Sequence, residues 1–428
     1  MNPISVAVKG KGPHNFLRRG VSIARHYGLT PGKMERALVQ FVTVLRQFGC
    51  GATFPITAVA LQRAPHIVRK YQAQGIEFAI HGYRHLDHSQ LSQEEQLVHL
   101  ELARQVFARA GIQPQGFRCP YLRWNHDTLL ALQQQGFAYE SSQGLAWDVL
   151  DSRETPAYDR VLDFYGALSA DDYLSLPSLE GTLVRIPYSL PDDEALVERL
   201  DLKTLAEMNA LWLAILRRTY ELGELFTLGL HPERTALCLE PLMAVLVKAR
   251  LLTPPVWIAR LDEIAAWWRA RARASVKITD VIDGKLYLMT VVGPSEVTVL
   301  ARAVEVDAPT TPWADGYRQV EAKAFTIHAP LRPFIGLSPA ASPRLADFLR
   351  QQGYIVEISE ESHRYPCYFD QAEFVAEQER PLLAQIESAD CPLVRLGRWP
   401  RGAHSALAVT GDIDVLTLWD YGLRLLGR

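Results

Sequence analysis

Short apolar runs alternate with longer stretches of helical periodicity across residues 14–272 of the chain. The apolar runs, which predict strands, are GATFPI (51–56), IEFAI (76–80), GFRCPY (116–121), FAYESS (137–142), TLVRIPYSL (182–190) and ELFTLGL (224–230). The periodic stretches, which predict helices, lie at 31–48, 63–74, 93–110, 126–135, 194–221 and 262–273. Strands that alternate with helices favour a parallel sheet with helical crossovers, built as an open sheet or as a barrel.

The pattern changes near Ser275, where β-rich runs follow one another and Gly, Pro and Asp turns separate them. These runs are KLYLMTVVG (285–293), EVTVLARAV (296–304) and EAKAFTIHA (321–329). A helix, the strand YIVEIS and a second helix are predicted after them. We therefore divide the chain into an α/β domain (1–274), a smaller α+β accessory module (275–397) and a C-terminal segment (398–428).

The composition is that of a folded globular protein. The chain has 428 residues, of which 48% are hydrophobic and 22% charged, so it can bury a large core without disulfides. The net charge of −3 disfavours nucleic acid as a partner, because nucleic-acid binding usually needs a basic face. The five cysteines are scattered and lack C-x-x-C spacing, so we expect neither a disulfide framework nor a cysteine zinc site.

The apolar stretches are too short to cross a membrane, since a span needs about 18 uninterrupted apolar residues. The first residues, MNPISVAVKGKGPHN, contain no apolar stretch long enough for a signal peptide. We therefore expect a cytoplasmic protein without a membrane span. The sequence leaves open whether it forms a homo-oligomer.

Two histidines follow the second predicted strand at a metal-ligand spacing. His81 and His85 lie four residues apart, so both can point to one side of a helical turn and share a metal ion. A bare H-x-x-x-H is more often two unrelated polar residues on a loop. The position after a strand favours the functional interpretation, because functional groups gather at the carboxyl ends of parallel strands.

Other reactive groups also follow strand-like runs, namely Arg118, His231, Asp412 and Asp414. Each of them alone is more often a structural residue, a surface cation or an acidic turn. Together they supply what metal-assisted hydrolysis needs. Two histidines and a carboxylate can hold the metal, a second carboxylate can take a proton from water, and an imidazole can protonate the leaving group.

The set of motifs resembles the NodB-type polysaccharide deacetylase family, also called carbohydrate esterase family 4. The matching segments, which span roughly residues 16–272, are ATFPITA (52–58), GIEFAIHGYRH (75–85), GFRCPYLRWN (116–125), FAYESS (137–142), RIPYSLPDDE (185–194), LGLHPE (228–233) and EIAAWW (263–268). The resemblance implies a distorted (β/α) barrel, usually of seven strands, that binds one divalent metal ion. It also implies hydrolysis of acetyl groups on sugars, although some relatives hydrolyse other C–N bonds.

The resemblance also implies roles for individual residues. His81 and His85 match the metal-binding pair, with Gly82 where Ser or Thr is usual. Arg118 matches the arginine that orients the catalytic base, and His231 matches the general acid. The residues that match or follow the substrate-groove motifs are Pro120, Tyr121, Trp124 and Leu230. A tryptophan in the core or at the rim is as probable for Trp124 as a sugar contact.

The family's first motif, a strand that ends in two acids, is missing where it should stand. The N-terminal run SVAVKGKGP has Gly10 and Lys11 at those places, and a protonated lysine repels a metal ion. A segment near the C-terminus, WPRGAHSALAVTGDIDVLT (399–417), resembles the missing first motif. We predict that the chain is circularly permuted, so that this segment supplies the first barrel strand, Asp412 the base and Asp414 the third metal ligand.

Two alternatives to permutation within one chain stay open. The C-terminal strand could enter the barrel of a second chain and build a shared site. The N-terminal run could instead fill the first strand position, which would leave the TGDID segment outside and the enzyme inactive.

We predict a metal-dependent hydrolase that removes acetyl groups from an acetylated saccharide, with one divalent ion: zinc, or else cobalt, nickel or manganese. The alternatives are hydrolysis of another small amide and an inactive carbohydrate-binding or scaffold protein. Asp192, Asp193 and Glu194 also follow a strand. We interpret them as carboxylates at the start of a helix, where negative charge is favoured, rather than as acid–base groups.

Overall fold

A computed structural model describes residues 26–150, 154–202, 204–282 and 285–425. The predicted N-terminal strand SVAVKGKGP, with Gly10 and Lys11, lies outside the described residues. In the part of the chain that is described, no helix is both long and apolar enough to cross a membrane.

A curled, mostly parallel sheet forms the centre of the α/β domain. Its strands from this domain are β1 (Thr53–Ile56), β2 (Glu77–Ile80), β3 (Gly116–Phe117), β4 (Tyr139–Glu140), β5 (Gly144–Ala146), β6 (Leu168–Ser169), β7 (Ser178–Glu180), β8 (Leu183–Arg185), β9 (Tyr188–Leu190), β10 (Leu225–Leu230) and β11 (Val256–Ile258). The helices around them are α1 (Gly32–Gln47), α2 (Ala58–Arg63), α3 (Pro65–Gln72), α4 (Gln93–Arg109), α5 (His126–Gln134), α6 (Pro156–Tyr165), α7 (Leu205–Glu221), α8 (Thr235–Leu251) and α9 (Leu261–Ala272).

Local sequence signals explain where these helices begin and end. Ser92 and Glu95 form the capping box that starts α4, as the Ser-x-x-Glu spacing predicts. The helix expected over 63–74 forms as α3, and a separate short helix, α2, precedes it with a break at Ala64. Pro65 begins α3, and a proline has no N–H to continue a helix from the preceding turn.

The accessory module continues the chain beyond α9 with small sheets and two helices. Its strands are β12 (Ser275–Ile282), β13 (Leu286–Val292), β14 (Val299–Arg302), β15 (Glu305–Asp307), β16 (Thr310–Pro312), β17 (Arg318–Val320), β18 (Ala324–His328), β19 (Ile335–Leu337), β20 (Val356–Ile358), β21 (Cys367–Phe369) and β22 (Leu393–Leu396). Its helices are α10 (Pro343–Gln351) and α11 (Glu379–Ser388), and β23 (Ser405–Gly411) and α12 (Leu418–Leu425) follow.

The C-terminal strand β23 lies inside the main sheet of its own chain. It pairs in parallel with β10 over six residues, from Leu225 opposite Ala406 to Leu230 opposite Gly411. On its other side Thr410 pairs with Thr53 of β1. All seven residues of β23 are buried, as expected for a strand covered on both faces. The strand therefore fills the position between β10 and β1.

The segment that contains β8 and β9 curls the sheet. Its first half pairs with β4 and its second half with β5 and β10. Pro187 lies between the two halves and cannot donate a backbone hydrogen bond, so the chain changes neighbours there. The result is a curled, barrel-like sheet with its helices outside.

The accessory module packs against the amino-terminal end of this sheet. Trp268 of α9 and Trp399 are fully buried in one hydrophobic cluster that also contains Tyr287 and Val299 of the module. The ring centroids of Trp268 and Trp399 lie 5.6 Å apart. The two parts of the molecule thus share a continuous core at this end.

Candidate active site

Two histidines and one aspartate meet at the carboxyl end of the sheet. His81 follows β2, His85 lies on the next turn, and Asp414 follows β23. The Oδ1 atom of Asp414 lies 3.4 Å from Nε2 of His81 and 3.2 Å from Nε2 of His85. The candidate ligand atoms of the three residues all lie within 4.8 Å of one another. The structure thus brings together the three residues expected to bind metal.

The local backbone fixes the orientation of the first histidine. Nδ1 of His81 lies 2.9 Å from the carbonyl oxygen of Arg118. A carbonyl oxygen accepts hydrogen bonds and cannot donate one, so Nδ1 of His81 is the donor and Nε2 is the nitrogen that faces Asp414. Gly82 next to it has φ of +79°, and a Cβ there would lie 2.7 Å from the carbonyl oxygen of Arg84. This turn therefore needs glycine where the family usually has Ser or Thr.

A cation of the chain itself reaches this group. Arg424 of α12 donates to Oδ2 of Asp414 at 2.5 Å and to Nδ1 of His85 at 2.8 Å. Burial and the charge of Arg424 lower the pKa of His85 to about 3. Burial raises the pKa of Asp414, but His85 and Arg424 outweigh it and hold that pKa well below its usual value. The group thus consists of a neutral imidazole and an ionised carboxylate around a positive charge.

The carboxylate two residues earlier forms a buried ion pair. Oδ1 of Asp412 lies 2.7 Å from Nη1 of Arg118, which is completely buried. Arg118 also donates to Oγ1 of Thr410 at 3.0 Å and, through Nε, to the carbonyl of Ser141 at 2.8 Å. This arginine holds the Asp412 side chain in one orientation by a charge-assisted hydrogen bond, which suits a base that accepts a proton.

A second carboxylate orients the histidine at the end of β10. Asp193 is fully buried, and its Oδ1 lies 2.6 Å from Nδ1 of His231. Its Oδ2 accepts the backbone N–H of His231 at 2.8 Å. Burial lowers the pKa of His231, but the charge and hydrogen bond of Asp193 outweigh it and hold that pKa well above its usual value. His231 is therefore protonated at neutral pH and can act as a general acid.

The neighbouring acids lie at the start of a helical segment, as expected, and Asp193 has a further contact that the sequence interpretation did not include. Asp192 does accept the backbone N–H of Ala195 at 2.8 Å, as a carboxylate at a helix start would. Asp193 instead faces His231, because the turn after β9 lies at the same end of the sheet as the end of β10. That shared end was a signal in the sequence that could have identified it.

The residues expected to line the groove lie in different surroundings. Tyr121, whose φ is +60°, places its ring against His85 at a centroid distance of 4.3 Å and is half-buried. Pro120 and Leu230 are buried beside the site. The guanidinium of Arg185 covers the ring of Trp124 at 4.2 Å, and both residues line a groove of about 740 Å³ between the domain and α10.

The donor set fits a divalent transition-metal ion. Two imidazoles and one carboxylate are the ligands that zinc enzymes use when they keep a position open for water. The Nε2 atoms of His81 and His85 both face Asp414, so they are the nitrogens that would bind the ion. The guanidinium of Arg424 is the one feature of the group that competes with such an ion.

One segment of the chain matches a known family. Residues 30–139 match the family model described as polysaccharide deacetylase. A stretch of 94 residues is 34% identical to Peptidoglycan deacetylase-like protein FGM2 of Gibberella zeae, which covers 21% of this chain. The match spans only 27% of the length of that curated relative.

Two solved structures align with parts of the chain. A Mycobacterium smegmatis structure assigned as a polysaccharide deacetylase is 21% identical, with a TM-score of 0.46, over 62% of this chain and 88% of that chain. Puue Allantoinase is 20% identical, with a TM-score of 0.44, over 54% and 72% of the two chains.

Proposed function

We propose that the α/β domain, completed by β23, is a metal-dependent hydrolase that removes acetyl groups from an acetylated saccharide. One observation carries this proposal: β23 brings Asp412 and Asp414 to the end of the sheet where His81, His85 and the Arg118 guanidinium lie. The sequence order alone separates these groups by about 290 residues or more. Their meeting supplies both a ligand set and a base at one site.

Asp414, His81 and His85 would hold the ion, for which zinc, cobalt, nickel and manganese are candidates. When bound, such an ion polarises an acetyl carbonyl and lowers the pKa of water. Asp412 accepts the proton of the attacking water, and its ion pair with Arg118 fixes its orientation. Arg118 thus acts through Asp412, as a positioning residue.

His231 completes the reaction from the other side of the site. Its Nδ1 is bound to Asp193, so the proton on Nε2 is the one that can pass to the departing amine or alcohol. The ring is 13% exposed and therefore reachable by a substrate. Tyr121, Pro120 and Leu230 would form the wall beside the acetyl group, and Trp124 would lie further along the groove.

We attribute the chain order to circular permutation of the deacetylase fold. The parallel pairing of β23 with β10 and β1 of its own chain supports this account. It also argues against an exchange of this strand between two chains, which would leave the same position to be filled by a partner. The accessory module then serves as the connection from α9 to β23.

A metal-free carbohydrate-binding or scaffold protein is the second candidate, and the position of Arg424 favours it. The guanidinium binds the same carboxylate and the same imidazole that a metal would need. An arginine and a divalent ion repel each other, so the guanidinium in its present position weakens the binding of a metal ion. Metal binding therefore distinguishes the two candidates.

Elemental mass spectrometry of the purified chain tests the proposal directly. We expect about one divalent ion per chain in the wild type and in the exposed control Asp390→Ala, and loss of the ion in Asp414→Ala and His81→Ala. Normal metal content in Asp414→Ala would exclude Asp414 as a ligand, and a metal-free wild type would favour the scaffold.

Acetate release from a panel of N- and O-acetylated sugars then tests the substrate class. We expect release by the metal-loaded wild type and none by Asp414→Ala. A wild type that binds metal but releases no acetate would indicate hydrolysis of another amide on the same fold.

A further inference from the structure

A second cavity lies at the amino end of the sheet, opposite the candidate active site, between the α/β domain and the accessory module. Its volume is about 270 Å³. Gly223 and His404, which line it, come just before β10 and β23, whereas Trp313 and Arg395 belong to the module. His404 and Asp412 are separated by β23, about 26 Å at roughly 3.3 Å per residue. The cavity is therefore separate from the candidate active site.

Five arginines, four of them buried, lie in and beside this cavity. The guanidinium groups in and beside it belong to Arg271, Arg302, Arg380, Arg395 and Arg398. Two carboxylates, one buried and one half-buried, form ion pairs with three of these arginines. Glu224 pairs with Arg380 at 3.0 Å, and Glu387 pairs with both Arg395 and Arg302. No carboxylate among the described residues forms an ion pair with Arg398 or Arg271.

Arg398 is the group that most needs a counter-charge. It is only 9% exposed, and its Nη1 donates to the carbonyl of Leu222 at 3.2 Å. Its buried Nε has no hydrogen-bond partner in the described part of the chain. Burial and the charge of Arg395 lower the pKa of Arg398. An unneutralised buried cation is costly, and an anion in the cavity would remove that cost.

His404 supplies a second unpartnered polar atom in the same wall. It is 7% exposed, and its buried Nδ1 has no hydrogen-bond partner among the described residues. Its ring contacts Trp313 at a centroid distance of 5.0 Å. The two remaining acids of the lining are Glu221, which pairs with Arg217 on the surface, and Asp315, which is exposed at the mouth.

We propose that this cavity binds a small anion, whose phosphate or carboxylate head meets Arg398 and whose carbon ring lies against Trp313 and His404. A guanidinium is suited to both kinds of oxyanion, because its N–H groups match their geometry. The volume lies below the range of about 300–1,000 Å³ that drug-sized ligands occupy, so the ligand is small. This site does not depend on the proposed deacetylase activity.

Calorimetry and thermal melting of the full chain test the site. The probes are inorganic phosphate, for the head alone, and benzoate, for a carboxylate with a ring, each against sodium chloride of equal ionic strength. We expect at least one probe to bind the wild type and to raise its Tm, and Arg398→Met to bind it at least about tenfold more weakly. Arg401→Met is the matched control, since Arg401 lies on the same segment with a side chain 80% exposed.

Two further variants keep the test decisive if Arg398→Met does not fold. Arg398→Lys keeps the cation and should retain part of the affinity. His404→Phe keeps the ring contacts and removes the nitrogen, so it should weaken binding several-fold. Binding of neither probe to the wild type would overturn the proposal, as would equal affinity in the wild type and in both Arg398→Met and His404→Phe.

Discussion

The two ends of β10 and β23 hold charge in opposite ways. At the carboxyl end two buried ion pairs form within the chain: Asp412 with Arg118, and His231 with Asp193. At the amino end Arg398 is buried, and no carboxylate of the described residues forms an ion pair with it. Because the same two strands reach both ends, the difference arises from the loops and from the module. The chain itself supplies the partners of these charges at the carboxyl end, whereas the proposed anion would supply the partner of Arg398 at the amino end.

Removal of the proposed base, Asp412, should have the largest effect on acetate release, and it disrupts the Asp412–Arg118 ion pair at the carboxyl end of the sheet. In Asp412→Asn the side chain can no longer accept a proton, so we expect acetate release to fall by about 10²–10⁴-fold. Asp412 is not among the three proposed ligands, so metal content should stay at the wild-type level. Turnover and elemental analysis on the same samples check both. A loss no larger than that of Asp390→Asn would show that Asp412 is not the base.

Removal of an acid from the amino end should destabilise the fold. Glu387→Gln leaves Arg395 and Arg302 without their shared carboxylate, and we expect a loss of about 3 kcal/mol in the free energy of unfolding. Denaturant unfolding measures this loss, with the exposed Glu360→Gln as the control. A variant as stable as the control would mean that these arginines do not need the acid, which would also weaken the contrast between the two ends.

The ion pair between His231 and Asp193 should set the pH dependence of kcat. In the wild type the raised pKa of His231 gives stability that is fully present below about pH 6.5 and is lost as the pH rises through the raised pKa. In Asp193→Asn burial dominates, so the pKa of His231 should fall. We expect the alkaline limb of the kcat profile to move to lower pH. An unchanged limb would assign that limb to another group.

The smallest expected effect is that of removing Arg424, at the carboxyl end of the sheet, on the metal Kd. Arg424→Ala removes the guanidinium that competes for Asp414, and we expect the metal Kd to fall about tenfold, or ~1.4 kcal/mol. Competition with a chelator of known affinity measures this Kd. Arg63→Ala is the matched control, since Arg63 binds Asp420 of the same helix at 2.6 Å and is not among the residues of the metal group. Equal tightening in both variants would indicate a looser helix rather than a removed competitor.

Parts of the site follow from local sequence, and others do not. His81 and His85 were predictable because they are close in the chain and follow a strand. Asp412 and Asp414 were assigned by resemblance, and only the pairing of β23 with β10 places them beside the histidines. Alternation of strands and helices reveals which elements form, but it does not reveal their order in the sheet.

The interactions that sequence reasoning missed are pairings between distant segments. Asp193 stands before a turn that has the pattern of a helix start, so its contact with His231 could be found only from the end of the sheet that both share. Arg424 lies in no motif. The arginines of the second cavity gave no signal, because arginine is usually a surface residue and burial depends on how the module packs.

The position of β23 has a consequence for biosynthesis. About 350 residues separate Ile56 at the end of β1 from Ser405 at the start of β23, although the two strands are neighbours in the sheet. At roughly 5–20 residues per second, a ribosome needs about 20–70 s to make that interval. Until β23 is made, the edges of β1 and, later, of β10 that face it have no partner strand, and open strand edges are prone to aggregate. A protein whose neighbouring strands emerge together has no such interval.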